Sequence, residues 1–188
     1  MKKVFCVMGA LLFVFMMTAG PVAAEAIKVG VVLPLTGKLA KFGEIENKSF
    51  LMAVEEINAA GGVNGKKIEL IIEDTTGKPD VGRSAIEKLI SRDKVVIVGG
   101  GYSSSVTWAS VAVAQQRKVP FLVNTGSADK ITEQGWNYIF RMNPPASEYP
   151  KPFASFLQNV ATDVKKVAIL HENSLFGQSS SKKFAKNV

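Results

Sequence analysis

Short runs of apolar, β-branched residues alternate with longer helical patterns along most of this chain, and nothing else in it constrains the fold so tightly. Residues 27–33 form the first run, closed by Pro34, and read as a buried strand. Residues 67–73, 95–98, 120–123 and 138–142 read as four more strands. Between the first two lies a helix over 40–60, with Phe50, Leu51, Val54 and Ile57 on one face and Gly61-Gly62 at its end. Residues 79–92 carry Ile86, Leu89 and Ile90 at helical spacing, with Pro79 in the first turn. Residues 103–118 are apolar almost all round in their middle, so this helix is expected to be deeply packed. A short helical turn is predicted at 131–134. Asn143-Pro144-Pro145 then reads as a crossover linker. Beyond it a helix near 147–160, a strand over 166–171 and a helix from Leu175 restart the rhythm. The alternation predicts an α/β fold: a doubly wound parallel sheet covered on both faces.

In such sheets ligands bind beyond the carboxyl ends of the strands, where the strand order reverses. For the order 2-1-3-4-5 that point lies between the first and third strands. The loops to watch are 35–43, 99–105 and 124–127. Gly99-Gly-Gly-Tyr-Ser-Ser-Ser105 leads from strand to helix. Its glycines let backbone approach a ligand, and a helix N-terminus favours an anion. The hydroxyls of Ser103, Ser104 and Ser105 either cap the helix or serve that ligand. Asn124-Thr-Gly-Ser127 is either a plain turn or a second set of donors at the same edge.

Composition removes several function classes. One cysteine and one histidine make neither a disulfide framework nor a Cys/His zinc site. The formal charge of +7 comes largely from scattered basic pairs such as Lys66-Lys67 and Lys182-Lys183, with no aromatic stripe, so nucleic acid is not an expected partner. Lys2 and Lys3, an apolar run over 4–19 and small residues up to Ala24 have the layout of a secretory signal peptide. Cleavage after Ala24 leaves 164 of the 188 residues and, with two lysines gone, a charge of +5. The expected location is therefore the periplasm. Gly99 and Gly101 are followed by Ser104 where the dinucleotide fingerprint needs glycine. Gly37-Lys38 and Gly77-Lys78 lack the Ser/Thr of a phosphate loop, and Ser105 replaces the second glycine of a nucleophile elbow around Ser103. His171 reads as structural, and Glu73-Asp74 as a solvated turn pair before a metal site. No catalytic constellation, no cofactor and no resident metal are expected.

Three stretches carry a family: residues 27–37 (IKVGVVLPLTG), 53–65 (AVEEINAAGGVNG) and 99–105. They resemble the branched-chain amino-acid (Leu/Ile/Val-type) periplasmic substrate-binding proteins of ABC transporters, and residues 119–123 and 167–177 fit as well. The resemblance implies a type I periplasmic-binding-protein fold: residues 25–142 as the first lobe, 143–188 as the crossover and the start of a second. It implies that Ser103 and Thr125 offer backbone groups, and Ser103 and Ser127 hydroxyls, to the carboxylate and ammonium of a small-molecule ligand. Tyr102 would line the pocket. Phe42, where relatives often carry tyrosine, and Phe176 would flank it, or equally anchor a core. The implied partner is an ABC permease, and the implied ligand an amino acid or related small carboxylate.

Members of that family are much longer than 188 residues. The chain is thus expected to be a truncated portion that does not bind with native affinity by itself. No acidic partner for a ligand ammonium is assigned. Two other classes stay open: a sensory or regulatory ligand-binding module on the same fold, and a secreted α/β enzyme dependent on Ser103.

Overall fold

A computed structural model describes residues 25–187; the expected signal peptide lies outside the described residues. The elements run β1 (Ile27–Leu33), α1 (Ala40–Ala59), β2 (Ile68–Asp74), α2 (Pro79–Ser91), β3 (Ile97–Gly100), α3 (Ser104–Arg117), β4 (Phe121–Val123), a 3-10 turn (Asp129–Ile131), β5 (Ile139–Arg141), α4 (Lys151–Asn159) and α5 (Leu175–Asn187). All five strands pair in parallel in the order β2-β1-β3-β4-β5, so the strand order reverses between β1 and β3.

The register assigns each residue a face. Gly30 and its partner Val98 point toward α2, where Leu89 and Val95 would crowd a Cβ on Gly30. Val31 and its partner Gly99 point the other way, toward Phe50 of α1. The α2–α3 side holds the core: Phe121, Ile86, Leu89, Val98, Val111 and Val123 are fully buried there. Each such side chain contributes about 1.5–3 kcal/mol relative to exposure. As expected from its apolar circumference, α3 is buried along most of its length, from Ser104 to Ala114.

Five details differ from the sequence expectation. The third strand runs Ile97–Gly100 rather than 95–98, because pairing to Val29–Val32 of β1 uses backbone, which glycine supplies as well as valine does. Val95 instead packs beside Leu89 in the preceding loop. The short turn sits at Asp129–Ile131, earlier than 131–134. The fourth helix starts only at Lys151, with Pro152 in its first turn and residues 146–150 forming turns before it. Residues 166–171 form no strand; no described strand lies beside them to take their N–H and C=O groups, and Leu170 is wholly exposed. α1 also covers less than its pattern suggests: Leu51 is 49% and Ile57 39% exposed.

Gly43 brings α1 onto the end of β1. A Cβ there would lie 2.1 Å from the Pro34 carbonyl oxygen, so only glycine permits the approach. Asp74 ties the same corner, accepting from Leu35 N (2.8 Å), Thr76 N (2.7 Å) and Thr36 Oγ1 (2.5 Å). Burial alone would raise its pKa; these hydrogen bonds together outweigh it and hold the carboxyl below its ordinary value. Glu73 pairs with Lys88. The Glu73-Asp74 pair is thus committed to the protein.

Candidate functional site

The reversal between β1 and β3 opens a crevice at the carboxyl edge of the sheet. Two turns meet there. The first leaves β3 through Gly100 and Gly101, both at positive φ (111° and 91°), and enters α3 at Ser103. The second leaves β4 and spans 124–128. Gly126 N donates to Gly101 O at 2.7 Å, which joins the turns directly.

The three serines have separate roles. Ser103 is the N-cap of α3 by position, yet its hydroxyl makes no capping bond. Its carbonyl takes Thr107 N and Thr107 Oγ1, both at 2.8 Å. Ser104 Oγ is buried and accepts from Ser127 N and Ala128 N, each at 3.1 Å. Ser105 Oγ accepts from Leu175 N at 3.4 Å, linking α3 to α5. An uncapped helix N-terminus with a spare hydroxyl beside it suits a carboxylate.

The second turn is wired from several sides. Thr125 Oγ1 donates to Glu46 of α1. Ser127 Oγ donates to Thr125 O (2.8 Å), accepts from Asn143 Nδ2 (3.0 Å) and lies 3.2 Å from the Tyr149 hydroxyl. Asn143 Nδ2 also donates to Thr125 O at 2.9 Å. Burial pushes the Glu46 carboxyl above its ordinary value, against the opposing hydrogen bonds from Thr125 and Asn124. Tyr102 is likewise raised, by burial first and then by the charges of Glu46 and Glu172. Oε2 of Glu46 is buried without a hydrogen-bond partner among the described residues.

Aromatic rings border the polar turns. Phe42 stacks on Tyr102 with centroids 4.8 Å apart and planes 16° from parallel. Phe176 meets Tyr149 edge to face at 6.3 Å. The structure therefore brings Ser103, Thr125, Ser127, Tyr102 and Phe42 to one edge, and Phe176 to the side of it carried by α5. Neither phenylalanine is a core anchor: Phe42 is 47% and Phe176 39% exposed. Among the described residues no group of three or more His, Cys, Asp or Glu side chains is placed to hold a metal.

Sequence reasoning missed Glu46, Asn143, Tyr149 and Arg141. Glu46 was legible in principle, since it lies four residues before Phe50 on the stripe that faces the sheet. Asn143 and Tyr149 follow β5 at the same carboxyl edge, in a segment read only as linker.

A doubly wound parallel sheet, with two hydroxyl-bearing turns joined at its switch point, defines an α/β lobe. The chain belongs to the periplasmic binding protein family: a family model of that description matches residues 26–188. It is 34% identical over 171 residues to Leu/Ile/Val-binding protein homolog 7 of Brucella abortus (strain 2308), covering 87% of this chain and 42% of that relative. The fold is similar to the branched-chain amino acid transporter substrate binding protein LivJ of Streptococcus pneumoniae, solved in complex with isoleucine (TM-score 0.80, 31% identity, 87% of this chain and 47% of that one). It is also similar to a solute binding protein of an ABC transporter from Rhodopseudomonas palustris BisB5, solved with 3,4-dihydroxy benzoic acid (TM-score 0.78, 27% identity, 87% and 44%). These are type I periplasmic binding proteins, and the chain spans less than half the length of each.

Proposed function

We propose that this protein captures an amino acid or related small carboxylate between two lobes, outside the cytoplasm, and delivers it to an ABC permease without covalent chemistry. One observation carries the reading: the uncapped N-terminus of α3, with its unbonded Ser103 hydroxyl, follows a turn that Gly126 N joins directly to the turn 124–128 at the carboxyl edge of the sheet. A carboxylate seated there meets amide and hydroxyl donors and the positive end of a helix dipole. Residues 25–142 serve as the first lobe and 143–188 as the crossover and the start of the second. Closure of the second lobe, led by Phe176, excludes water and strengthens each charge-assisted bond. The relatives solved with isoleucine and with an aromatic acid support the ligand class.

The test is thermal stabilisation of the purified complete gene product against a panel of amino acids and aromatic acids. A shift of several degrees with at least one member, abolished by Ser103→Ala, is expected; no shift with any member overturns the reading. Mass spectrometry of the secreted protein is expected to show an N-terminus at Glu25, and an intact Met1 would remove the periplasmic assignment.

A further inference from the structure

Arg141, the last residue of β5, spends its guanidinium on backbone. Nη1 donates to Gly126 O (3.3 Å), Ser127 O (2.7 Å) and Ala128 O (3.3 Å); Nη2 donates to Asp129 O (3.3 Å) and to Thr132 Oγ1. Four successive carbonyls converge on one cation. The nearby Asp129 carboxylate, an obvious ion-pair partner, instead accepts from Ser147 N (3.3 Å) and Ser179 Oγ (2.7 Å). The half-buried guanidinium forms no ion pair among the described residues. The four N–H of Nη1 and Nη2 supply this pattern, one of them shared between carbonyls; a lysine ammonium, a single point with three N–H, cannot reproduce it.

We propose that Arg141 is a positioning residue for ligand binding, holding the turn after β4 in the conformation that presents Thr125 and Ser127. This rests on the proposed reading of the crevice as the ligand site. The carbonyls of 126–129 are drawn back to Arg141, while the amides of Ser127 and Ala128 are held by Ser104 Oγ on α3. The turn is gripped on both sides, and one grip comes from the residue next to Ser103. Ser127 O also accepts from Ala146 N at 2.7 Å, so the crossover joins the same arrangement. Drawing carbonyl oxygens away from the crevice removes the groups that would repel a carboxylate. Without Arg141 those oxygens have no common partner, and the turn after β4 is held only from the α3 side, by Ser104 Oγ and Gly101 O.

The test compares the wild type with Arg141→Lys in the purified complete gene product. Calorimetry with L-leucine, L-isoleucine and 4-hydroxybenzoate is run beside amide hydrogen exchange of the ligand-free protein. Loss of charge-assisted bonds predicts Kd about tenfold weaker for the ligand that binds. Exchange at Ser127 and Ala128 rises by a similar factor, while Val98 and Val111 in the core are unchanged. A lysine variant that melts earlier but binds with wild-type Kd has lost only a structural bond, and that result overturns the proposal. So does unchanged exchange at Ser127 and Ala128. If the lysine variant does not fold, Thr132→Val removes one acceptor only; about threefold changes in both readouts support the role, and none refutes it. A wild type that binds none of the three ligands, with the exchange change still present, overturns the ligand reading of the crevice and leaves Arg141 as a loop anchor.

Discussion

Two phenylalanine–glycine corners face the crevice, one on each side of the crossover, and their surroundings differ. Phe42-Gly43 opens α1; a Cβ on Gly43 would lie 2.1 Å from Pro34 O, at the end of a fully paired strand. Phe176-Gly177 opens α5; a Cβ on Gly177 would lie 2.2 Å from Glu172 O, in a segment with no strand partner. The chain uses the same device twice to bring a helix start against a carbonyl and set an aromatic ring beside the site. Only the first corner is backed by a finished sheet. Behind the second lies an apolar groove of about 510 Å³ lined by Tyr149, Phe153, Ile169, Phe176 and Phe184. The difference teaches that a helix forms on its own internal hydrogen bonds, whereas a strand waits for a neighbour.

The largest expected contrast follows from that. Phe121→Ala, in the completed region, is expected to cost about 3–5 kcal/mol, because its side chain is fully buried between β4 and the α2–α3 layer. Leu170→Ser, in the unpaired segment, is expected to change stability by less than about 0.5 kcal/mol. Urea unfolding monitored by circular dichroism measures both. Equal losses would mean that residues 166–171 pack against something in solution and that the contrast between the regions is false.

The two corners supply the next test. Gly43→Ala is expected to cost about 1–3 kcal/mol, since the Pro34–Leu35 peptide is held by the bond from Leu35 N to Asp74 and has little room to retreat. Gly177→Ala meets a carbonyl in an exposed stretch that can shift, so its cost is expected below about 1 kcal/mol. A larger loss at Gly177 would show the second corner to be the stiffer one.

What was legible in the sequence divides along the same line. The parallel strand–helix alternation and α1 to α3 followed from local pattern and short crossovers; the order β2-β1-β3-β4-β5, which the pattern does not encode, is the one assumed in locating the glycine–serine turn at the switch point. The strand expected over 166–171 has the right residues, but its formation depends on pairing that local pattern does not encode. The register of β3 was misread by two residues because apolar character was taken as the strand, while the sheet pairs backbone. Arg141 escaped notice for a related reason: its acceptors are carbonyls, which leave no trace in side-chain identity.

A smaller effect separates two carboxyls in the completed region. Asp74 is held below its ordinary 3.8, so it contributes stability above that value that is lost as pH falls through its folded pKa. Glu46 is raised above its ordinary 4.5; it holds its proton more tightly folded than unfolded, so stability falls as pH rises through its folded pKa. Glu46→Gln, which keeps an acceptor for Thr125, is therefore expected to stabilise the protein at pH 7 and to have no effect below about pH 4. Asp74→Asn is expected to destabilise at pH 7 and to converge on the wild type in acid. Melting curves across pH 3–8 decide it; a Glu46→Gln variant less stable at pH 7 would mean the ionised carboxylate is required for the turn.

The smallest expected effect bears on how the two regions are joined. The Tyr149 hydroxyl lies 3.2 Å from Ser127 Oγ, a link between the crossover and the turn after β4. Both groups can donate or accept, and Ser127 has already given its proton to Thr125 O, so the tyrosine is the donor here. Tyr149 is about half exposed, and water competes for the bond. Tyr149→Phe is accordingly expected to cost about 0.5 kcal/mol, at the lower end for a neutral hydrogen bond. In a double-mutant cycle with Ser127→Ala most of that loss should appear as coupling, since phenylalanine keeps the ring contact with Phe176. Zero coupling would mean the two regions are joined by the other links alone, through Asn143, Ala146, Ser105 and the bonds of Ser147 and Ser179 to Asp129. Coupling that grew when ligand was added would identify the bond as part of lobe closure, giving a weak surface link a larger role than its own strength.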